Sequence, residues 1–161
     1  MPELALATPR DELLADCRVA SGAARTARLR FDEQSAAGLE GCAHHLARLY
    51  NIIEQMALRV AKAFENQIED ESGWHSELIR RLSIAITGLR PTLFSEALGQ
   101  PLRELRAFRH EFTHACDLEL DRDKLALLLK YARQVESELL PSCEKFISQV
   151  ASQEGLGADR R

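Results

Sequence analysis

A chain of 161 residues, 45% hydrophobic and 29% charged, suits one globular domain with a sizeable core. Its formal net charge of −4 excludes nucleic-acid binding through an indiscriminate positive field, so any polyanion site must be local. Cys17, Cys42, Cys116 and Cys143 stand far apart with no C-x-x-C pair, and the chain lacks both a signal-peptide core and an apolar run near about 18 residues. A reduced, soluble, cytoplasmic protein without structural zinc is therefore expected.

Pro9 and Asp11 are helix-start signals, and arginines gather towards Arg30, so a first helix is expected from about residue 10 to 31. Its apolar pattern of Leu13, Leu14, Cys17, Val19 and Ala20 thins at Ser21-Gly22, where a bend or fraying is expected. From Ser35 to Asn66 the period is stronger. Leu39, Cys42, Ala43, Leu46, Leu49, Tyr50, Ile53, Met56, Ala57, Val60, Ala61 and Phe64 recur at spacings of three and four, marking the spine of a bundle.

Residues 69–73, Glu-Asp-Glu-Ser-Gly, form a polar break. Trp74, Leu78, Ile79, Leu82 and Ile86 then give a short amphipathic helix that Gly88 and Pro91 end. Residues 92–98 read as a loop or single turn, and Pro101 suits the first position of a helix running to about 116. After a short charged link, Asp121 or Asp123 can cap a last helix over about 122–152, with Leu125, Leu128, Leu129, Ala132, Val135, Leu139 and Leu140 as its stripe. Pro141 should kink or split that helix, and the tail 153–161 is expected to be disordered. With no period-two run, the expected fold is all-α, a bundle of four to five helices with long second and last members, in one domain spanning 1–152.

The chemistry concentrates in the helix that ends at Cys116. At about 100° per residue, Leu105, Phe108, Phe112, Ala115 and Cys116 share one arc. Arg103, Arg106, Arg109, His110, Thr113, His114 and Asp117 share another. Arg109 supplies a permanent planar cation for phosphate, and the imidazole of His114 can exchange a proton near neutral pH. Together they suffice for metal-free RNA cleavage: a base deprotonates the 2′-OH, that oxygen attacks the adjacent phosphorus, and the cation stabilises the anionic transition state. On an ideal helix the two lie about 140° apart, so a shared site needs a broad pocket or a second wall.

Other readings use the same residues. Arginine and histidine on a solvated helix face need no function. His110 and His114, at i and i+4, have the spacing of a metal-ligand pair, but no third ligand is evident; Glu111 is rotated away and Asp117 is a weak candidate. His44-His45 sits in the long helix as a partly exposed pair or a local capping element. Trp74 reads as core.

The run Phe108-Arg109-His110-Glu111-Phe112-Thr113-His114-Ala115-Cys116, followed by Glu119-Leu120-Asp121, resembles the motif region of the HepT-like ribonucleases of the HEPN superfamily, whose signature is Arg, four residues, His, one residue, Tyr. Residues 46–54 around Tyr50, Trp74-His75 with Leu78, Arg90-Pro91, and Leu102 with Leu105 extend the resemblance over about residues 40–130.

The resemblance implies a helical toxin of a prokaryotic toxin–antitoxin pair, acting as a metal-independent endoribonuclease that needs no cofactor. Arg109 and His114 would be the catalytic pair, meeting their counterparts in a cleft between two identical chains. That homodimer would supply the missing second wall and would draw Arg103, Arg106 and His110 of both chains towards one RNA-binding, phosphate-contacting track. The implied partner is a minimal (MNT-type) nucleotidyltransferase antitoxin that adds AMP to the motif tyrosine. Here the tyrosine position is Cys116, whose thiol offers no phenolic oxygen, a departure that touches regulation more than chemistry. A non-catalytic HEPN-type helical module that partners a nucleotidyltransferase is the rival expectation, and a metal-binding bundle through His110 and His114 a third.

Overall fold

A computed structural model describes residues 3–65, 74–115 and 117–158, with side chains placed over 10–65, 77–115 and 117–155. Five α-helices follow in order: α1 Glu3–Asp32, α2 Ala36–Phe64, α3 Trp74–Leu82, α4 Gly99–His114 and α5 Arg122–Ala158, with one 3-10 turn at Glu96–Leu98 ahead of α4. The described residues contain no strand; an isolated bridge pairs Ile86 with Arg90. The fold is the expected all-α bundle with long second and last helices. None of the described helices is long and apolar enough to cross a membrane.

The α1–α2 hairpin is its most extensive helix pair. Past Leu13 and Cys17 the buried stripe of α1 continues as Ala20, Ala23, Ala24 and Ala27. The thinning at Ser21-Gly22 is therefore a switch to small residues that admit a close neighbour, and α1 runs through it unbroken. It also starts at Glu3, ahead of the expected position, because proline near a helix start removes one hydrogen bond without stopping propagation. Ser35 caps α2, its hydroxyl accepting from the Gly38 N–H at 2.9 Å. Gly38 is required by the tight turn: a Cβ there would stand 2.4 Å from the Arg30 carbonyl oxygen.

Three further boundaries depart from the sequence reading. Helix α3 stops at Leu82, short of Ile86, because the chain folds into a tight turn where Gly88 adopts φ 79° and Ile86 and Arg90 exchange backbone hydrogen bonds of 2.9 and 3.0 Å. Arg90 holds this turn from inside. Only 1% exposed, it donates to the carbonyls of Ile84 at 2.9 Å and Arg81 at 3.0 Å and to Glu65 Oε1 at 3.2 Å.

Helix α5 passes through Pro141 as one element and reaches Ala158, so it neither splits at the proline nor gives way to a loose tail at residue 153. Leu139, Cys143, Phe146 and Val150 are buried on both sides of Pro141, and the Ser142 hydroxyl donates to the Leu93 carbonyl at 2.6 Å while accepting from Ser95 N at 3.0 Å. Tertiary packing outweighs the one missing N–H. Asp121 serves as the α5 cap, its carboxylate accepting from Asp123 N at 2.9 Å. Cys17, Cys42 and Cys143 are free and buried.

Candidate functional site

Helix α4 presents the expected division of faces except at Ala115, placed on the packing arc by the helical period but exposed where the helix ends. Leu102, Leu105 and Phe108 are buried, with Phe112 packed against the core beside Phe108 at 5.8 Å between ring centroids. Arg103, His110, Thr113 and His114 are exposed, and Arg106 and Arg109 are half-buried. Cys116 lies outside the described residues, as do the side chains of Trp74 and His75.

Arg109 and His114 turn to different neighbours. The Arg109 guanidinium reaches back onto α2, where Nη1 donates to Asn51 Oδ1 at 2.9 Å and Nη2 to Glu54 Oε2 at 3.1 Å, with a longer Nη1 contact of 3.4 Å to Glu54 Oε1. Its Cζ lies 4.8 Å from the centroid of the Tyr50 ring. A guanidinium carries five N–H donors in one plane. These contacts leave the Nε–H and one Nη2–H of Arg109 without a partner among the described residues, enough to receive a phosphate oxygen on the open side.

His114 turns along its own helix. Its Nδ1 lies 2.9 Å from the carbonyl oxygen of His110. A carbonyl only accepts, so Nδ1 carries the proton, and in the neutral ring Nε2 carries the lone pair. The His110 and His114 rings lie 4.5 Å apart at their centroids, which makes the i,i+4 pair real. Among the described residues, however, no three His, Cys, Asp or Glu side chains come together as a metal site. Thr113 donates to the Arg109 carbonyl at 2.7 Å, and Lys124 at the start of α5 pairs with Glu111 at 2.6 Å. That ion pair ties the His114 end of α4 to α5.

The partners on α2 are what the sequence reading missed. Glu54 is a carboxylate only 7% exposed in an otherwise apolar stripe, a setting that demands a cation. Tyr50, one helical turn earlier, is fully buried, and its hydroxyl has no hydrogen-bond partner in proper geometry among the described residues. Burial first, then the Glu54 carboxylate, pushes the phenol above its ordinary pKa. The signal was present as Tyr50-x3-Glu54, a polar residue at a core register. The structure thus gathers Tyr50, Asn51, Glu54 and Arg109 in one cluster and His110 with His114 in another, with Arg103 and Arg106 on the open face between helix starts and ends.

The sequence profile of the HepT-like proteins matches residues 41–150, a span that holds both clusters. The chain belongs to the HepT-like family of the HEPN superfamily. No curated protein and no solved structure matches it. In this HepT-like chain the Arg109-x4-His114 spacing, the α2 spine carrying Tyr50 and Glu54, and the Arg90-Pro91 turn all fall inside the matched span. The bundle is accordingly a HEPN-type module.

Proposed function

We propose that the protein is the toxin of a prokaryotic toxin–antitoxin pair and acts as a metal-independent endoribonuclease, with Arg109 and His114 as its catalytic pair at the interface of a homodimer. The observation that carries this reading is the division of labour within the Arg-x4-His motif. Arg109 is fixed from behind by Glu54 and Asn51 with donors to spare, and exposed His114 has its Nδ1 proton committed to the His110 carbonyl. A base and a cation prepared in this way are the two groups that 2′-OH attack on phosphorus requires.

In the proposed step Nε2 of His114 takes the 2′-OH proton. The oxygen bonds to the adjacent phosphorus, the bond from phosphorus to the 5′-oxygen breaks, and that oxygen leaves with a proton from a protonated imidazole. The products are a 2′,3′-cyclic phosphate and a 5′-hydroxyl end. Arg109 binds the non-bridging oxygens as charge builds on them. The second chain closes the cleft that the two diverging side chains leave open, bringing Arg103, Arg106 and His110 of both protomers towards the RNA. An MNT-type nucleotidyltransferase is the antitoxin partner, and because Cys116 stands where the family motif has tyrosine, AMP addition at that position is absent.

The test is cleavage of single-stranded RNA by purified protein in the presence of a chelator. The wild type should cut and leave cyclic phosphate ends, and His114→Ala and Arg109→Ala should cut at least a hundredfold more slowly, the scale of a lost acid–base group or charge donor, about 10²–10⁴. An inactive wild type, or variants as active as wild type, overturns the assignment. A wild type that binds a nucleotidyltransferase stably without cutting RNA would support the non-catalytic module instead, a reading favoured by Cys116 at the tyrosine position.

A further inference from the structure

On the opposite side of α5 from the α4 contacts, a groove of about 420 Å³ runs between the C-terminal half of α1 and the N-terminal half of α5. Arg25 and Arg28 on α1 and Lys130 and Arg133 on α5 line it, over an apolar floor that includes Phe31 and Leu29, the latter 61% exposed. Among the described residues Asp32 is its only acidic lining residue. Arg28 is held by Glu136, whereas Arg25, Lys130 and Arg133 take part in no ion pair among the described residues. In a chain of net charge −4, four basic side chains lining one groove with Asp32 and beside Glu136 form a local anion-attracting field of the kind the overall charge withholds.

The start of α5 contacts both α4 and the groove. Lys124 in the first turn of α5 pairs with Glu111 of α4, and the guanidinium of Arg122, also at the start of α5, lies 4.6 Å from the centroid of the Phe31 ring. From Lys124 to Arg133 the helix rises about 14 Å. The start of α5 thus touches α4 through Lys124 and the groove residue Phe31 through Arg122. An exposed leucine and an aromatic edge flanked by guanidiniums suit unpaired bases with their phosphates outward.

We propose that this α1–α5 groove is a second RNA-binding site, one that holds the phosphate backbone of single-stranded RNA apart from the proposed catalytic pair. Its ligand class rests on the ribonuclease reading above. Arg25, Lys130 and Arg133 bind phosphates without reading sequence, so they set affinity and salt dependence and leave the chemistry to the α4 residues.

The test measures binding of a single-stranded 2′-O-methyl RNA oligonucleotide, which has no free 2′-hydroxyl and so survives, by fluorescence anisotropy across 50–200 mM salt. The full chain is compared with Arg25→Ala/Arg133→Ala and with Arg48→Ala/Lys62→Ala, which removes the same charge from exposed positions on α2. The groove variant should bind several-fold more weakly, with a salt slope shallower by about 0.7 for each phosphate that is no longer neutralised, and the control should keep the wild-type slope. Arg25→Lys/Arg133→Lys, which keeps the charges, should bind like wild type. A groove variant that matches either wild type or the control overturns the proposal, as does a lysine version with a shallower slope. Displacement of the probe by poly-L-glutamate as effectively as by unlabelled oligonucleotide also overturns it, because the groove would then be a seat for an acidic protein. Groove-dependent binding by a wild type that cuts no RNA leaves this site standing and removes the ribonuclease reading. Normal cutting with unchanged binding in the groove variant removes this site alone.

Discussion

Glu54 of α2 and Arg109 of α4 form an ion pair of 3.1 Å across the helix interface, with the carboxylate almost wholly buried and the guanidinium open on one edge. The motif arginine is thus part of the bundle's packing as well as of its exposed face. Arg109→Ala should cost about 1–3 kcal/mol of stability, because it takes a hydrogen-bonding cation away from a desolvated carboxylate. Arg109→Ala/Glu54→Leu should recover part of that loss. A urea-denaturation double-mutant cycle reads the coupling, and simple additivity would show that the pair contributes nothing to the fold.

Tyr50 offers the converse case. Its ring lies beneath Arg109 while its hydroxyl is buried without a properly placed partner, so Tyr50→Phe should be neutral or more stable by up to about 1 kcal/mol. The sign with pH is fixed by the raised phenol pKa. In the unfolded chain tyrosine ionises near about 10, before the folded protein does. Wild type therefore loses stability as pH rises through that value and Tyr50→Phe does not share the loss. Thermal melts between pH 8 and 11 give the comparison.

These two residues also show what was legible in advance. The helices α2 and α5 follow from apolar spacing, and the two faces of α4 follow from the same period, because burial of a stripe is a property that local sequence encodes. The links between helices are different. Nothing in the spacing of Arg109 and His114 indicates that one turns to α2 and the other along α4; that depends on Glu54 arriving across the interface. The two prolines misled for a related reason. Locally Pro141 is read as a kink or break and Pro9 as a start, yet α1 already begins at Glu3, and buried neighbours such as Leu139 and Cys143 carry α5 past its proline as one element. The Arg90 turn was hidden because a short apolar run through Ile86 looks helical until Gly88 takes positive φ.

The α1–α2 hairpin predicts opposite outcomes at two glycines, Gly22 inside α1 and Gly38 in the first turn of α2. A Cβ at Gly38 would come within 2.4 Å of a backbone oxygen, whereas at Gly22 nothing lies within 4 Å. Gly38→Ala should therefore destabilise by about 1–3 kcal/mol despite the better helix propensity of alanine. Gly22→Ala should stabilise by about 0.5–1 kcal/mol. Chemical denaturation of both variants settles the contrast, and equal effects would contradict the close approach at Gly38.

His45 should make stability depend on pH on the acidic side. Its Nδ1 is buried without a partner among the described residues, and burial first, then His44, Arg48 and Arg30, lowers its pKa below the ordinary histidine value. The unfolded chain takes up the proton at about 6.5 while the folded chain resists it. Stability is then retained above that pH and declines as pH falls through the window down to the folded value. His45→Leu should melt with a flatter pH dependence between pH 7 and 5, and a slope unchanged from wild type would show that this imidazole is indifferent to folding.

Arg90 carries the largest predicted effect. Its guanidinium is enclosed by the Ile84 and Arg81 carbonyls and by Glu65, the residue that also terminates α2. Arg90→Met keeps the bulk of the side chain but leaves those carbonyls without their donor and Glu65 with Arg81 as its described cation. Removing one member of a buried charged network costs about 3–5 kcal/mol, a large share of the stability of a domain this size, about 5–15 kcal/mol. Arg90→Lys should recover only a small part, because a single ammonium cannot span acceptors on both sides as the planar fork does. Urea midpoints of the two variants supply the measurement. A midpoint for Arg90→Met close to wild type would mean that the turn at 83–91 is held by its own backbone bonds and by Gly88, with the arginine incidental.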